Sequence, residues 1–196
     1  PYINLLITNQ RIDEAALIWK TYYPSDSLLY NGFFSLPLVQ GGFGWQFWRR
    51  GQLDAGVIVE VQNQDKENTA LHLHFKGEQN INLYHVYQIV PLSSGQRFTL
   101  TGKMRSKALN TDQRPFLEVM GRPSAGNKCY MLHGAEMVGE NQDWTPFTLS
   151  FTVPDECNQG VMLRLRRLPS KKIDSLISGD LWLTNLSIQK ESLRPF

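Results

Sequence analysis

From Leu28 onward, the chain carries short runs in which apolar residues recur at every second position. Leu71, Leu73 and Phe75 alternate with His72 and His74; Phe98, Leu100 and Met104 alternate with Thr99, Thr101, Lys103 and Arg105. Phe147, Leu149, Phe151 and Val153 alternate with Thr148, Ser150 and Thr152, and Val161, Leu163 and Leu165 with Arg164 and Arg166. Successive side chains of a strand point to opposite faces, so each run reads as a strand buried on one side only. Turn signals divide the runs: Lys76–Gly77, Ser93–Gly95, Pro154–Asp155 and Ser178–Asp180. About ten short strands at this spacing predict an all-β chain, a jelly-roll β-sandwich.

The first two dozen residues follow another period. Leu6, Ala15, Ala16, Ile18 and Trp19 fit helical spacing, with a break at Asn9–Arg11 and a stronger helix over Ile12–Tyr22. Asp13 and Glu14 sit where the helix dipole favours negative charge, and Pro24 cannot continue the helix. The division is therefore a helical segment over 1–26 and the sandwich over 27–196. The run NQRIDEAALIWKTYYPSD resembles the second half of a tetratricopeptide repeat, in which an Ala is followed by aromatics and a closing Pro. The other reading is a helix that packs on its own sandwich.

Charge narrows the function classes. Twenty basic and eighteen acidic residues leave a net charge of +2, without the concentrated basic surface of a nucleic-acid binder. No stretch reaches the roughly 18 apolar residues that a membrane helix needs, so no membrane insertion is expected. The sequence begins at Pro1 rather than Met and reads as a piece of something longer. Localisation is open, with an envelope or exported setting the expectation. Cys129 and Cys157 are either one disulfide or two separate thiols.

Four segments carry a resemblance. NGFFSLPLVQGGFGW (31–45), YQIVPLSSGQRFTLTGKMRS (87–106), WTPFTLSFTVP (144–154) and GDLWLTNLSI (179–188) are similar, in the same order, to the opening, central, late and closing segments of carbohydrate-binding modules of the family 4/9 type. The resemblance implies a galactose-binding-like jelly roll that binds a poly- or oligosaccharide without catalysis. Two departures stand out: an acid is usual where this chain has Phe34, and an Asp is usual where it has Thr184. Those carboxylates help hold a structural calcium in the family, and losing two hard oxygen ligands weakens such a site. No calcium or other cofactor is expected here, although Asn31 and Asn185 still offer amide oxygens.

Sugar recognition combines flat aromatic faces with planar polar groups. The aromatic candidates are Trp45, Trp48, Tyr84, Tyr87, Tyr130, Trp144 and Trp182. Trp45 and Trp144 match positions expected in the core. Trp48, beside Arg49 and Arg50, and Tyr87, of outward parity, are expected to stack on a ligand, with Gln88 as polar partner. A hairpin of Thr69–Phe75 with Tyr84–Val90 would set His74 opposite His85 and His72 opposite Tyr87, a polar cluster of three histidines. Its His-x-His strand pair also permits a cupin-like metal site, but the rest of that motif is missing and no metal is expected. Lys103, Arg105, Arg164 and Arg166 face outward, and on neighbouring strands would form a cationic stripe suited to an acidic glycan. Arg167, Lys171 and Lys172 are expected to be solvated. No Gly-x-Ser-x-Gly elbow, P-loop or pair of carboxylates set for glycoside hydrolysis is present, so an enzyme is not expected. The partner is then a carbohydrate or, if the sandwich has lost its glycan site, another protein.

Overall fold

The computed structural model describes residues 2–25, 27–47, 56–64, 68–122, 126 and 128–191. Among the described residues, nine strands form two antiparallel sheets. The strands are β1 (Val57–Asn63), β2 (Thr69–Lys76), β3 (Leu83–Val90), β4 (Arg97–Asn110), β5 (Phe116–Gly121), β6 (Leu132–Gly134), β7 (Gln142–Thr152), β8 (Val161–Arg167) and β9 (Ser178–Lys190). One sheet has the order β1-β2-β9-β4-β7 and the other β3-β8-β5-β6. Their inner faces close over one core: Leu71, Leu73, Phe75, Leu100 and Leu183 from the first sheet meet Val86, Leu117, Val119, Leu163 and Leu165 from the second. Each fully buried Leu side chain contributes about 2 kcal/mol of transfer free energy.

The expected hairpin does not form. β2 pairs with β1 and β9, whereas β3 lies in the other sheet beside β8. The connection from Lys76 to Leu83 therefore crosses between sheets. Adjacent strands in sequence are a reasonable first guess at partners, but a jelly roll alternates its strands between two layers.

The N-terminal residues form α1 (Tyr2–Thr8) and α2 (Ile12–Tyr22). The second begins without a side-chain cap; Asp13 and Glu14 lie in its first turn, and Glu14 pairs with Arg11. Ile12, Ala15 and Trp19, spaced three and four apart, are its buried stripe. That stripe joins Leu6, Ile7, Tyr30 and Phe43 in a second cluster, against which Ile89 of β3 packs. Trp19 holds it together, with ring centroids 4.3 Å from Tyr23, 5.3 Å from Tyr30 and 5.9 Å from Phe43. The helices thus pack on the outer side of the four-stranded sheet and leave the other sheet uncovered by them.

The Asn31–Gly32 strap is tied to the closing strand. Leu186 N donates to Gly32 O at 2.9 Å, and a Cβ on Gly32 would meet Leu186 O at 1.9 Å, so only glycine fits this approach. Phe34, standing where the resemblance expects an acid, is a core residue with its ring 5.2 Å from Trp45. Trp45 is buried as expected and donates its indole N–H to Asn31 O at 3.3 Å. Cys129 and Cys157 are joined in a disulfide.

Arg167 reverses an expectation. It is 0% exposed, and its guanidinium donates to Gln113 O, Asn80 Oδ1, Ile81 O, Thr111 Oγ1 and Ser175 O at 2.5–3.2 Å. It clamps three loops at one end of the sandwich. Burial lowers the pKa of this group below the usual arginine value, while Asp112 works the other way. Its place follows from parity: Val161, Leu163 and Leu165 point inward, and Arg167 is the next position of that series.

Candidate functional site

The outer face of the five-stranded sheet carries a connected row of polar and aromatic groups. Register places Glu60 opposite His72, His72 opposite Trp182, and Trp182 opposite Arg105 across four neighbouring strands. The His72 ring stacks on Trp182 with centroids 4.8 Å apart and planes 15° apart, and the Arg105 guanidinium carbon lies 5.1 Å from the indole centroid. Trp182 donates its N–H to Gln62 Oε1 at 3.0 Å, and Gln62 donates to Glu60 Oε1 at 2.6 Å. The indole is therefore held upright between an imidazole and a guanidinium.

His72 meets a carboxylate at each nitrogen: Nδ1 lies 3.2 Å from Glu60 Oε1, and Nε2 lies 2.8 Å from Asp180 Oδ1. A neutral imidazole carries one N–H, so both contacts are hydrogen bonds only in the imidazolium form. His74 Nδ1 reaches the same Asp180 oxygen at 2.9 Å. Partial burial pushes the Asp180 pKa up, but hydrogen bonds from His74 and His72 outweigh it and the net shift is downward. The hydrogen bond from Gln62, then that from His72, lowers Glu60.

Beside this row lies a cavity of about 200 Å³, lined by Trp144, Lys103, Gln64, Asn68, Thr184 and Asn185. Two irregularities shape it. β9 has an extra residue between Ser187, opposite Thr101, and Thr184, opposite Lys103; Asn185 sits there with φ of 55°. β7 slips between Thr145, opposite Met104, and Gln142, opposite Ser106, which brings Asp143 and Trp144 across from Arg105. Trp144 is thus half-buried at the cavity rather than in the core. Both tryptophans stand among the aromatic candidates of the sequence, Trp144 as an expected core position; the bulges that bring them to one place have no signature in the sequence.

The expected site residues separate. His72, His74 and Arg105 lie on this face, whereas Tyr87, Arg164 and Arg166 lie on the outer side of the other sheet, and His85 is buried in β3. The three-histidine cluster does not exist, because β2 and β3 are not neighbours. The four-residue cationic stripe is divided the same way. Arg164 pairs with buried Glu118, and Arg166 donates to Asn82 Oδ1, Leu83 O and Arg167 O. Tyr87 pairs its backbone with Gln46. Gln88 is 1% exposed and binds the backbone of Tyr30 through both ends of its amide, at 3.0 and 2.8 Å, so it holds the strap rather than a ligand. The parity that turns Tyr87 outward turns Gln88 inward. Trp48 lies outside the described residues.

Asn31 uses its amide to close the 31–36 turn, donating to Leu36 O and accepting from Leu36 N at 2.9 and 3.0 Å. Among the described residues, no group of three or more His, Cys, Asp or Glu side chains is arranged to hold a metal. No helix among them is long and apolar enough to cross a membrane. A second cavity, of about 280 Å³, lies along α2 and is lined by Trp19, Tyr23, Tyr30, Phe43 and Lys20 among others.

This architecture is a jelly-roll β-sandwich similar in fold to solved carbohydrate-binding modules. A solved family 4 module superposes with a TM-score of 0.54 at 17% identity, over 83% of this chain and 99% of that one. A family 16 carbohydrate-binding module gives 0.53 at 17%, over 83% and 99%. The CBM22-1 xylan-binding domain of Paenibacillus barcinonensis Xyn10C gives 0.52 at 14%, over 81% and 91%. No family model matches the sequence, and no curated protein does. Nothing in these comparisons supports the tetratricopeptide resemblance of the helical segment.

Proposed function

We propose that this chain is a non-catalytic carbohydrate-binding domain whose site is the outer face of the five-stranded sheet. The observation that carries the reading is the row Glu60–His72–Trp182–Arg105 running into the cavity at Trp144. It combines an aromatic ring, amides and charged groups in one open place, which is the chemistry a pyranose needs. The likeness in fold to modules named for carbohydrate binding, one of them for xylan, supports the class.

The residues have different roles in this reading. Trp182 is covered by His72 on one side and Arg105 on the other, so it orients Arg105 and offers only its outer edge. Trp144 is the stacking surface. Gln64, Asn185 and Lys103 supply hydrogen bonds to hydroxyls, and His74 and Asp180 extend the polar surface along the sheet.

The test is a glycan array of neutral and acidic polysaccharides, followed by affinity measurements on Trp144→Ala and Tyr87→Ala. Saturable binding lost in Trp144→Ala and kept in Tyr87→Ala is the expected result. Loss in Tyr87→Ala alone moves the site to the other sheet. No binding to any glycan turns the reading toward a protein-interaction sandwich, for which the exposed apolar side chains of the helices, Leu17 and Tyr22 each at 72%, are the relevant surface.

A further inference from the structure

We propose that this face selects an anionic glycan, whose carboxylates are held by Lys103 and Arg105 on β4; the proposal rests on the carbohydrate reading above. The argument is a difference in how the two signs of charge are compensated. Two negative groups of the face are already engaged by side chains: Glu60 meets His72 and Gln62, and Asp180 meets His72 and His74. Asp143, across from Arg105, accepts the backbone N–H of Trp144 at 2.8 Å and forms no ion pair with a described residue. The positive groups outnumber it. Lys103, Arg105 and Lys107 are successive outward positions of β4, and none forms an ion pair with a described residue, although Lys107 stands in register with Asp180. Arg97, further along the same face, pairs with Glu191.

Position makes the unpaired cations useful. Outward residues two apart on a strand are separated by about 7 Å, and the strands on either side of β4 carry Trp182 and Trp144 roughly 10 Å apart. Lys103 lines the cavity at Trp144, and Arg105 lies between the two indoles in register. A sugar ring on Trp144 therefore brings a ring carboxylate to Arg105 or Lys103. Arg105 lies over the Trp182 ring, which orients its planar fork before a ligand arrives. A guanidinium takes a carboxylate or a sulfate in two parallel hydrogen bonds, so the shared chemistry is an oxyanion borne on a sugar chain.

The experiment compares three polymers by isothermal titration and affinity electrophoresis: polygalacturonate, its fully methyl-esterified form and dextran sulfate. The same measurements are made on Lys103→Ala/Arg105→Ala, Arg105→Lys and Trp144→Ala. We expect polygalacturonate to bind at least about tenfold more tightly than its ester, the scale of one charged hydrogen bond. The double variant should bring acid and ester to the same affinity, even where losing Lys103 weakens the ester as well, and Arg105→Lys should keep part of the preference. If acid and ester bind equally and both depend on Trp144, the carbohydrate reading stands and the anionic selectivity is wrong. If dextran sulfate binds best and Trp144→Ala is without effect, the face is a simple ion exchanger and the inference also fails. If none binds, the carbohydrate reading falls with it.

Discussion

The outer faces of the two sheets carry the same kind of residue and do opposite things with it. Each presents basic side chains at alternating strand positions beside aromatics. On the four-stranded sheet the arginines are used up internally: Arg164 by Glu118, Arg166 by an amide and two carbonyls, with the helices packed at β3. On the five-stranded sheet Arg105 has an indole and no counter-ion among the described residues, and a cavity opens beside it. What an arginine does is set by the strands next to it, because its partners come from across the sheet rather than along the chain. One set of cations is tied into the fold; the other forms no ion pair with a described residue.

The sharpest test of that contrast is Arg167, the inward continuation of the four-stranded side. Arg167→Met should cost about 3–5 kcal/mol, since it abandons five acceptors, Ile81 O fully buried among them, while removing a satisfied buried charge. Urea unfolding monitored by tryptophan fluorescence measures it. A loss below 1 kcal/mol would mean that the loops at that end do not depend on the clamp.

Next in size is the Cys129–Cys157 bridge, which spans a sequence separation of 28 residues. In the chain-entropy model a loop of that length is worth about 3–4 kcal/mol. The double Cys→Ser variant should unfold at correspondingly lower urea and bind glycan unchanged when folded. Altered affinity at full folding would tie the bridge to the site.

The third test sets the two faces directly against each other. Glu118→Gln leaves Arg164 without its charged partner and should cost about 2–3 kcal/mol of stability with no effect on binding. Arg105→Ala should cost at most about 0.5–1 kcal/mol, mostly its contact with Trp182, and should reduce glycan affinity. The reverse pattern would exchange the roles assigned to the faces.

The smallest effect is on pH dependence. The Asp180 pKa is lowered on folding, so this carboxylate contributes stability above its unfolded value of about 3.9, lost as pH falls through the folded value. Asp180→Asn should therefore be less stable than the parent at pH 7 and at pH 5, with the gap beginning to narrow as pH falls below about 3.9. Urea midpoints at pH 7, 5 and 3 check the sign; a gap that does not shrink between pH 5 and pH 3 would assign the loss to packing rather than charge.

Much of the molecule was legible from period alone. The alternation located β2, β4, β7 and β8 and turned His72, Arg105 and Tyr87 outward, while the side of Trp182 stayed open, and the helical spacing found Ile12–Tyr22 with its stop near Pro24. Parity also held two answers that a residue-type argument obscured. Gln88 shares the inward series of Val90, and Arg167 that of Val161, Leu163 and Leu165; a polar label suggested the surface for both. The four similar segments pointed to the right fold, with Phe34 occupying a core position where an acid was expected.

What the sequence determined by itself was therefore local: where strands run, which helix forms, and which side of a strand each residue occupies, all consequences of backbone geometry over a few residues. Which sheet a strand joins was decided only in the tertiary structure. β2 and β3 look like a hairpin and lie in different layers, so His85 never meets His72; β4 and β8 look alike and face opposite ways, so the basic stripe is divided. The bulge at Asn185 and the slip at Trp144, which open the cavity, likewise depend on neighbours brought together from distant parts of the chain. Pairing across a sheet is a long-range contact, and no short-range period encodes it.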